Sequence, residues 1–88
     1  MISRDFIISN KLGLHARPSA KLTQAASRFA AEIHLLRGTR RVNAKSIMGV
    51  MMLAAGQGAT VTVQAEGDDA EQAVQAIGQL IDDGFGEE

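Results

Sequence analysis

The sequence predicts an α+β fold, an open-faced sandwich in which helices cover one face of an antiparallel sheet. Three observations predict it: one segment alternates strictly between apolar and polar residues, two shorter strand patterns flank a tight turn, and helical patterns separate the strands. Strands joined by a hairpin favour antiparallel pairing, and helices with one apolar face need one side of that sheet to bury it. The predicted order is β-α-β-β-α-β-α.

The first half of the chain predicts a strand, a long helix and a hairpin. Phe6-Ile7-Ile8 is a short apolar run with polar neighbours, which is typical of a strand. From Ala16 to about Ala31, apolar residues recur at spacings of three and four, which predicts a helix with one buried face. Glu32 to Leu36 alternates, and the turn Arg37-Gly38-Thr39-Arg40 leads into a second strand, Arg41-Val42-Asn43.

The second half predicts a short helix, a strand and a closing helix. Ser46 can cap a helix over Ile47 to Leu53, and Thr60 to Glu66 alternates along its whole length. Asp68 followed by Glu71 resembles a capping box for the last helix. That helix is predicted to run to about Asp83, with an apolar stripe of Ala70, Ala73, Val74, Ile77 and Ile81.

The size and composition of the chain limit what it can do. At 88 residues, with 45% apolar and 22% charged residues, it is expected to form one domain, residues 1–88, too small for a deep substrate cavity. The absence of cysteine excludes thiolate metal sites and a cysteine nucleophile. The longest weakly polar run, Ile47 to Ala55, falls short of the roughly 18 residues of a membrane span, and the amino terminus lacks a signal-peptide pattern. We therefore expect a cytoplasmic protein without a membrane anchor.

Charge is distributed unevenly along the chain. Residues 1–45 hold nine bases and two acids, whereas residues 46–88 hold eight acids and no base. Folding into one domain should therefore give a basic face that suits an anionic partner. Nucleic acid is disfavoured as that partner, because proteins that bind single strands interleave aromatic and basic residues and this chain has three Phe and neither Tyr nor Trp.

The segment Gly13 to Ala20 carries most of the candidate chemistry. Pro18 suits a first helical turn, which places His15 at or just before the helix cap. The unpaired amides of Ala16 and Arg17 would then present partial positive charge to an anion such as phosphate, and the guanidinium of Arg17 adds a full charge.

The imidazole of His15 is the candidate nucleophile in this segment. The positive helix end disfavours imidazolium, so we expect a ring biased toward its neutral form, which could accept a phosphoryl group covalently. A histidine that merely caps a helix is the simpler interpretation. Three nearby residues favour the phosphate-site interpretation, because each has a role in phosphate chemistry. They are Gly13, Arg17 and Pro18.

Two motifs resemble those of the HPr phosphocarrier proteins of the phosphoenolpyruvate-dependent phosphotransferase system. They are Gly13-Leu14-His15-Ala16-Arg17-Pro18 and the segment Val42 to Met51, and the likeness includes the Gly56-Gln57-Gly58 loop and the closing helix. The resemblance implies that His15 takes a phosphoryl group from phosphorylated enzyme I and passes it to an EIIA domain, while Arg17 binds the phosphate. It also implies four antiparallel strands with three helices, and a carrier rather than an enzyme. We expect a monomer that uses no cofactor or metal.

Ser46 is a second candidate site. Its simpler role is to cap the short helix. The resemblance implies that HPr kinase/phosphorylase could phosphorylate the Ser46 hydroxyl as a regulatory mark, and a phosphate there would gain from the helix dipole.

The short helix also carries apolar residues with two possible roles. Ile47, Met48, Met51 and Met52 could pack in the core, or could form a flexible surface that docks several partners, as the resemblance implies. Lys21, Lys45 and Arg17 are expected to rim that surface against acidic partners. Solvated lysines would show the same pattern.

Other features bear on subtype and alternatives. Ser19 stands where the family usually has alanine and is expected to alter partner contacts. Met51-Met52-Leu53-Ala54-Ala55 is closer to the nitrogen-related NPr branch, whereas Pro18 resembles ordinary HPr, so both branches stay open.

His34 is expected on the surface, and the acids at 82, 83, 87 and 88 are expected to solvate a helix end. The alternative function is a ferredoxin-like module that binds a small ligand or regulates, because such modules share the order βαββαβ.

Overall fold

The computed structural model of the protein describes residues 1–87 and has the predicted order of elements. The strands are β1 (Ile2–Ile7), β2 (Glu32–Arg37), β3 (Arg40–Asn43) and β4 (Thr60–Glu66). The helices are α1 (Ala16–Ser27), α2 (Ile47–Met52) and α3 (Ala70–Asp82), and a 3₁₀ turn, Gly84–Gly86, follows α3. The four strands form one antiparallel sheet in the order β1-β4-β2-β3. The predicted sandwich and its hairpin are confirmed.

Strand β4 lies inside the sheet and shows which face is covered. Val61 and Val63 are fully buried and Ala65 is 1% exposed, as the alternating pattern predicts, whereas Thr60 and Glu66 at the ends of the strand are exposed. The buried residues share one face of the sheet because successive side chains of a strand point to opposite faces. That face meets the helices, and the other stays open.

Helix α3 covers the sheet with the predicted apolar stripe. Its buried residues are Ala70, Ala73, Val74, Ile77, Gly78 and Ile81. Gly78 lies directly against the ring of Phe6 in β1, and a Cβ at this position would displace that ring. Helix α1 adds Leu22 and Ala26 to the same core. Within residues 1–87, none of the helices combines the length and the apolar character needed to cross a bilayer.

Strand β1 covers residues 2–7 rather than the predicted residues 6–8. The polar residues 3–5 belong to it because each lies opposite a residue of β4, and pairing at a sheet edge does not require apolar side chains. Ile8 is fully buried but follows the strand, and its N–H donates to the carbonyl of Ala59 at 2.9 Å.

Helix α1 ends at Ser27, about one turn before the predicted end near Ala31. The amides of Ala30 and Ala31 donate instead to the two carboxylate oxygens of Asp69, at 2.9 and 2.8 Å. Because these two amides are bound to a distant part of the chain, the helix cannot continue through them.

The capping box predicted from Asp68 and Glu71 is wrong. The residue that precedes α3 is Asp69, and its carboxylate binds the end of the α1 region rather than capping α3. Glu71 accepts two hydrogen bonds from Arg4 of β1, at 2.8 and 3.0 Å, so it does not reach back to the cap. Both acids connect elements that are distant in sequence, which local spacing does not indicate.

Candidate functional site

A tight loop carries His15 to the start of α1. The carbonyl of Asn10 accepts a hydrogen bond from the Gly13 amide at 3.2 Å, and the Asn10 side-chain amide donates to the Gly13 carbonyl at 2.8 Å. The Leu14 amide donates to the carbonyl of Ala55 at 2.9 Å. These three bonds fix the backbone immediately before His15.

Gly13 allows this loop to lie against a neighbouring one. Its φ is +66°, and an added Cβ would lie 2.4 Å from the carbonyl oxygen of Ala55 and 2.7 Å from the Cα of Gly56. Any other residue would be strained in this conformation and would also clash with backbone. Glycine at this position therefore lets the loop before His15 pack directly on the Ala55-Gly56 backbone.

His15 is the N-cap residue of α1, as predicted, but its side chain makes no capping hydrogen bond. Its carbonyl accepts from the Ser19 amide at 3.0 Å, so the first turn of the helix begins at this residue. The amides of Ala16 and Arg17 have no acceptor within the helix, because the first-turn amides lack an upstream partner, and Pro18 has no amide hydrogen. The half-exposed imidazole therefore lies at a helix end whose first amides meet no capping side chain among residues 1–87.

Ser19 has a structural role rather than the expected contact with partners. It is fully buried, and its hydroxyl donates to the Leu14 carbonyl at 3.1 Å. A residue with no exposed surface cannot contact a docked protein directly, so that expectation is wrong. The hydroxyl instead ties the first turn of α1 to the loop that carries His15.

The carboxylate of Glu87 lies against the imidazole. Its Oε2 and Oε1 are 3.1 and 3.2 Å from His15 Nε2, and Oε1 also accepts from the Asn10 side-chain amide at 3.1 Å. Desolvation opposes ionisation of Glu87, but the hydrogen bonds from His15 and Asn10 and the charges of His15 and Arg17 outweigh it and lower its pKa below the ordinary value. Glu87 is therefore ionised at neutral pH.

The expectation that Glu87 merely solvates a helix end is wrong. Its side chain is 17% exposed and binds a residue 72 positions earlier. The sequence around His15 indicates only the helix amides as neighbours of the ring, not a carboxylate from the far end of the chain. Nothing in the local sequence indicates this contact. Glu88, which shared the expectation, lies outside the described residues.

An open cleft surrounds the imidazole. It is lined by Lys11, Leu12, His15, Arg17, Lys21, Gly86 and Glu87. Three of these residues are cations and all three are exposed, so the cleft can attract an anion to the side of His15. Within residues 1–87 the guanidinium of Arg17 makes no hydrogen bond or ion pair, which leaves its five donors available to an oxyanion.

Lys45 does not belong to this cleft. Its ammonium group donates to the carbonyl of Phe29 at 2.8 Å. Phe29 follows the C-terminal end of α1, whereas His15 lies at the N-terminal end. At about 1.5 Å of rise per residue, the length of α1 separates the two places by roughly 20 Å. Lys21 does line the cleft, and its ammonium group donates to the Phe85 carbonyl at 2.6 Å.

Ser46 caps α2 as predicted. Its hydroxyl accepts a hydrogen bond from the Gly49 amide at 3.0 Å, and the residue is half-buried. The apolar residues that follow it are exposed, with Ile47 at 44%, Met48 at 69% and Met51 at 38%. The interpretation of these residues as core packing is therefore wrong. Val50 and the following Leu53 hold this segment on the core instead.

The second histidine lies elsewhere and has different partners. His34 is on β2 and lies on the open face of the sheet, which confirms its predicted surface position. Its Nδ1 is 3.3 Å from the guanidinium of Arg41. In the part of the chain that the structure describes, no three His, Asp or Glu side chains come close enough together to hold a metal ion.

Comparison with known proteins identifies the family. A family model described as "PTS HPr component phosphorylation site" matches residues 2–83. The chain belongs to the HPr phosphocarrier family. Phosphocarrier protein HPr of Cupriavidus necator is 56% identical over 87 residues, covering 99% of this chain and 98% of the relative. Phosphocarrier protein NPr of Shewanella violacea is 44% identical over 86 residues, covering 98% and 94%. The crystal structure of an HPr from Thermoanaerobacter tengcongensis matches with a TM-score of 0.96 and 49% identity, covering 100% of this chain and 99% of that one.

Membership of the HPr family gives the protein its activity. It is a phosphocarrier of the phosphotransferase system, a carrier rather than a catalyst, with enzyme I and EIIA domains as its partners. The expected cytoplasmic location agrees with this role. The alternative of a ferredoxin-like binding module is wrong, because both the family model and the structural likeness extend over nearly the whole chain. HPr and NPr relatives both match.

Proposed function

We propose that His15 is the residue of this carrier that accepts the phosphoryl group from phosphorylated enzyme I and passes it to an EIIA domain. Residues 1–88 act as a single HPr domain in this role. The supporting observation is the half-exposed imidazole at the start of α1, beside first-turn amides without a capping side chain. A partner protein can reach a ring in that position without opening the core.

The residues around His15 have complementary tasks in this proposal. The amides of Ala16 and Arg17 bind the phosphoryl oxygens, since a helix N-terminus stabilises an anion. The guanidinium of Arg17 offers a planar set of donors that matches a phosphoryl group. Transfer of a phosphoryl group needs mainly positioning and charge stabilisation, which these amides and the guanidinium supply.

A two-step relay assay tests these assignments. Phosphoenolpyruvate and enzyme I load the carrier, and an EIIA domain then receives the phosphoryl group. We expect His15→Ala to block both steps, and Arg17→Ala to slow loading about tenfold or more while leaving stability within about 0.5 kcal/mol. Arg28→Ala, which removes an exposed arginine just after the end of α1, is the matched control and should load at the parental rate. Parental loading by Arg17→Ala would remove that residue from the site.

We propose further that Ile47, Met48 and Met51 form the apolar docking surface for both partners. Their exposure and the flexibility of methionine side chains support this, because one surface has to fit two unlike proteins. Lys21 and Arg17 add positive charge on the His15 side. Lys45 adds positive charge near the C-terminal end of α1. The three basic residues therefore lie along the length of that helix, where they can attract acidic partners.

Ser46 is proposed as a regulatory phosphorylation site for HPr kinase/phosphorylase. Its hydroxyl is half-buried at the start of α2, directly before the apolar docking surface. A phosphate there would place negative charge beside an apolar surface, where desolvation disfavours it during docking. The kinase with ATP should add an acid-stable phosphate to the parent but not to Ser46→Ala. Failure with a kinase that modifies a known HPr would leave Ser46 as a cap alone.

We also propose that the carrier acts as a monomer. The hydrophobic core of the described residues closes within one chain, so folding does not require a second copy. Light scattering across a range of concentrations should give the mass of one chain. A dimer mass at low concentration would contradict the proposal.

A further inference from the structure

One edge of the His15 ring is bound by an acid of the same chain. Both oxygens of Glu87 lie within 3.2 Å of Nε2, and the Glu87 side chain is only 17% exposed although it follows the last helix. The His15 side chain makes no hydrogen bond that caps α1, so its contact with Glu87 plays no part in capping the helix.

The chemistry of the two groups fixes where the ring proton lies. An ionised carboxylate can only accept hydrogen bonds, so Nε2 must carry the proton that they share. In a neutral imidazole the other nitrogen, Nδ1, then holds the lone pair. No hydrogen bond among residues 1–87 engages Nδ1 of His15. The contact therefore selects Nδ1 as the nucleophilic atom.

The position of Glu87 is built by several contacts rather than by chance proximity. After α3 the chain turns so that the Phe85 side chain, 1% exposed, enters the core, and Lys21 of α1 binds the Phe85 carbonyl. The Gly84 carbonyl accepts from the Glu87 amide at 3.0 Å. Asn10, itself 4% exposed, donates to the Glu87 carboxylate from the loop below His15. The backbone and the side chain of Glu87 are thus both held.

We propose that Glu87 is a positioning residue for phosphoryl transfer, which keeps the proton on Nε2 of His15 and balances the positive charge that the ring gains when Nδ1 is phosphorylated. The proposal rests on His15 being the phosphoryl acceptor. It gives Glu87 the task that a buried aspartate has toward histidine in hydrolase triads, namely to fix the tautomer and stabilise the imidazolium that forms.

The step balances without an outside proton. The Nδ1 lone pair forms the bond to phosphorus, the bond between phosphorus and the donor atom breaks, and its electron pair leaves with the donor. The ring then carries a positive charge, with its proton still on Nε2 and the Glu87 carboxylate as counter-ion. When an EIIA nucleophile takes the phosphoryl group, the Nδ1 lone pair returns and the neutral ring is restored.

Among residues 1–87, the other charged groups that line the cleft are all cations. Lys11, Arg17 and Lys21 line the same cleft, and they favour the incoming phosphoryl group rather than a protonated ring. Glu87 is the acid among the residues that line the cleft, and it lies on the Nε2 edge, away from the atom that bonds phosphorus.

The test compares the parent with Glu87→Gln, Glu87→Ala and the control Asp82→Asn, which removes an equal charge at the end of α3 from an exposed residue. Loading by phosphorylated enzyme I is measured against pH, and the rate at which the isolated phosphoprotein loses phosphate is followed over the same range. Both Glu87 variants should load roughly three- to tenfold more slowly, as expected when a hydrogen bond to a charged group is lost at a partly exposed site. The acid-promoted phosphate loss should move to lower pH in both, because a ring without its counter-ion is harder to protonate. Asp82→Asn should follow the parent in both measurements.

Nitrogen NMR of the His15 ring adds a readout that a purely structural role would not change. The parent should show a proton on Nε2 in slow exchange with solvent, and the Glu87→Ala spectrum should lose that protection. Parental loading rates and pH profiles in both Glu87 variants would overturn the inference, and so would faster loading, which would make Glu87 an obstacle. A parent protein that does not load at all would instead overturn the role of His15, so the two failures are distinct.

Discussion

The ammonium group of Lys21 lies 2.6 Å from the carbonyl oxygen of Phe85, 64 residues further along the chain. Phe85 has a φ of 58°, a left-handed conformation that a bulky residue adopts only where surrounding contacts impose it. Its buried side chain and the bond from Lys21 are two such contacts. They tie the end of the chain to α1 and thereby bring Glu87 to His15.

Removing this tie should loosen the end of the chain before it affects the sheet. We expect Lys21→Met to lower the free energy of unfolding by about 1 kcal/mol, the usual net value of one hydrogen bond. Amide exchange at Gly86 and Glu87 should accelerate, while exchange in β4 should change only by the loss of global stability. Lys11→Met, an exposed lysine of the same cleft, is the control. Unchanged exchange at Glu87 would show that the side chain of Phe85 holds the segment alone.

Gly13 should be the least replaceable glycine of the His15 loop. Gly13→Ala introduces a Cβ that lies 2.4 Å from a backbone oxygen at a φ of +66°. We expect a loss of about 2 kcal/mol or more in the free energy of unfolding, measured in urea. Gly56→Ala, where an added Cβ meets nothing within 4 Å, should lose less than about 1 kcal/mol. Equal losses in the two variants would contradict the packing described for this loop.

Asp69 should make stability depend on pH in the acid range. The backbone hydrogen bond from Ala30, with further bonds from Ala31 and its own amide and the charge of Lys45, outweighs desolvation and lowers the pKa of Asp69 below 3.8. A carboxyl whose pKa is lower in the folded state stabilises the fold above its unfolded pKa, and this contribution is lost as pH falls through the folded pKa. The urea midpoint should therefore fall as pH drops from about 5 to below 3.

Asp69→Asn should make that pH dependence shallower, because the asparagine does not titrate. Asp68→Asn, an exposed neighbour, should keep the parental slope. Identical slopes for all three proteins would assign the acid sensitivity to other carboxyls, such as Glu87.

A charge on the apolar docking surface should impair transfer without unfolding the protein. Met48 is 69% exposed, so Met48→Asp should change stability by less than about 0.5 kcal/mol. The KM for the carrier in loading by enzyme I should rise about tenfold, because docking would bury the new carboxylate in an apolar contact. Gln72→Asp, an exposed change on α3, is the control. An unchanged KM for Met48→Asp would exclude this surface as the docking site.

The fold was predictable because its local patterns agree with its tertiary contacts. The alternation in β4 and the stripe of α3 each place one apolar face toward the same core. The position of His15 was also predictable, since Pro18 limits where α1 can begin. Several of the errors concern residues whose partners lie far away in sequence. Asp69 ends α1 through two amides near residue 30, and no spacing rule connects those positions.

The approach of Glu87 to His15 was equally hidden from the sequence. The Gly84-Phe85-Gly86 turn looks like a flexible end, yet Phe85 is a core residue. Only the packed structure shows that the turn directs the next carboxylate into the cleft. The exposure of α2 was ambiguous for a different reason, because methionine serves both core and docking surfaces.

The mass of the intact protein after incubation with phosphoenolpyruvate and enzyme I tests the central claim most directly, because the chain has two histidines and only one is placed at a helix start. The parent and His34→Ala should each gain the mass of one acid-labile phosphoryl group, and His15→Ala, folded by circular dichroism, should gain none. A phosphoryl group retained by His15→Ala, or lost in His34→Ala, would contradict the account.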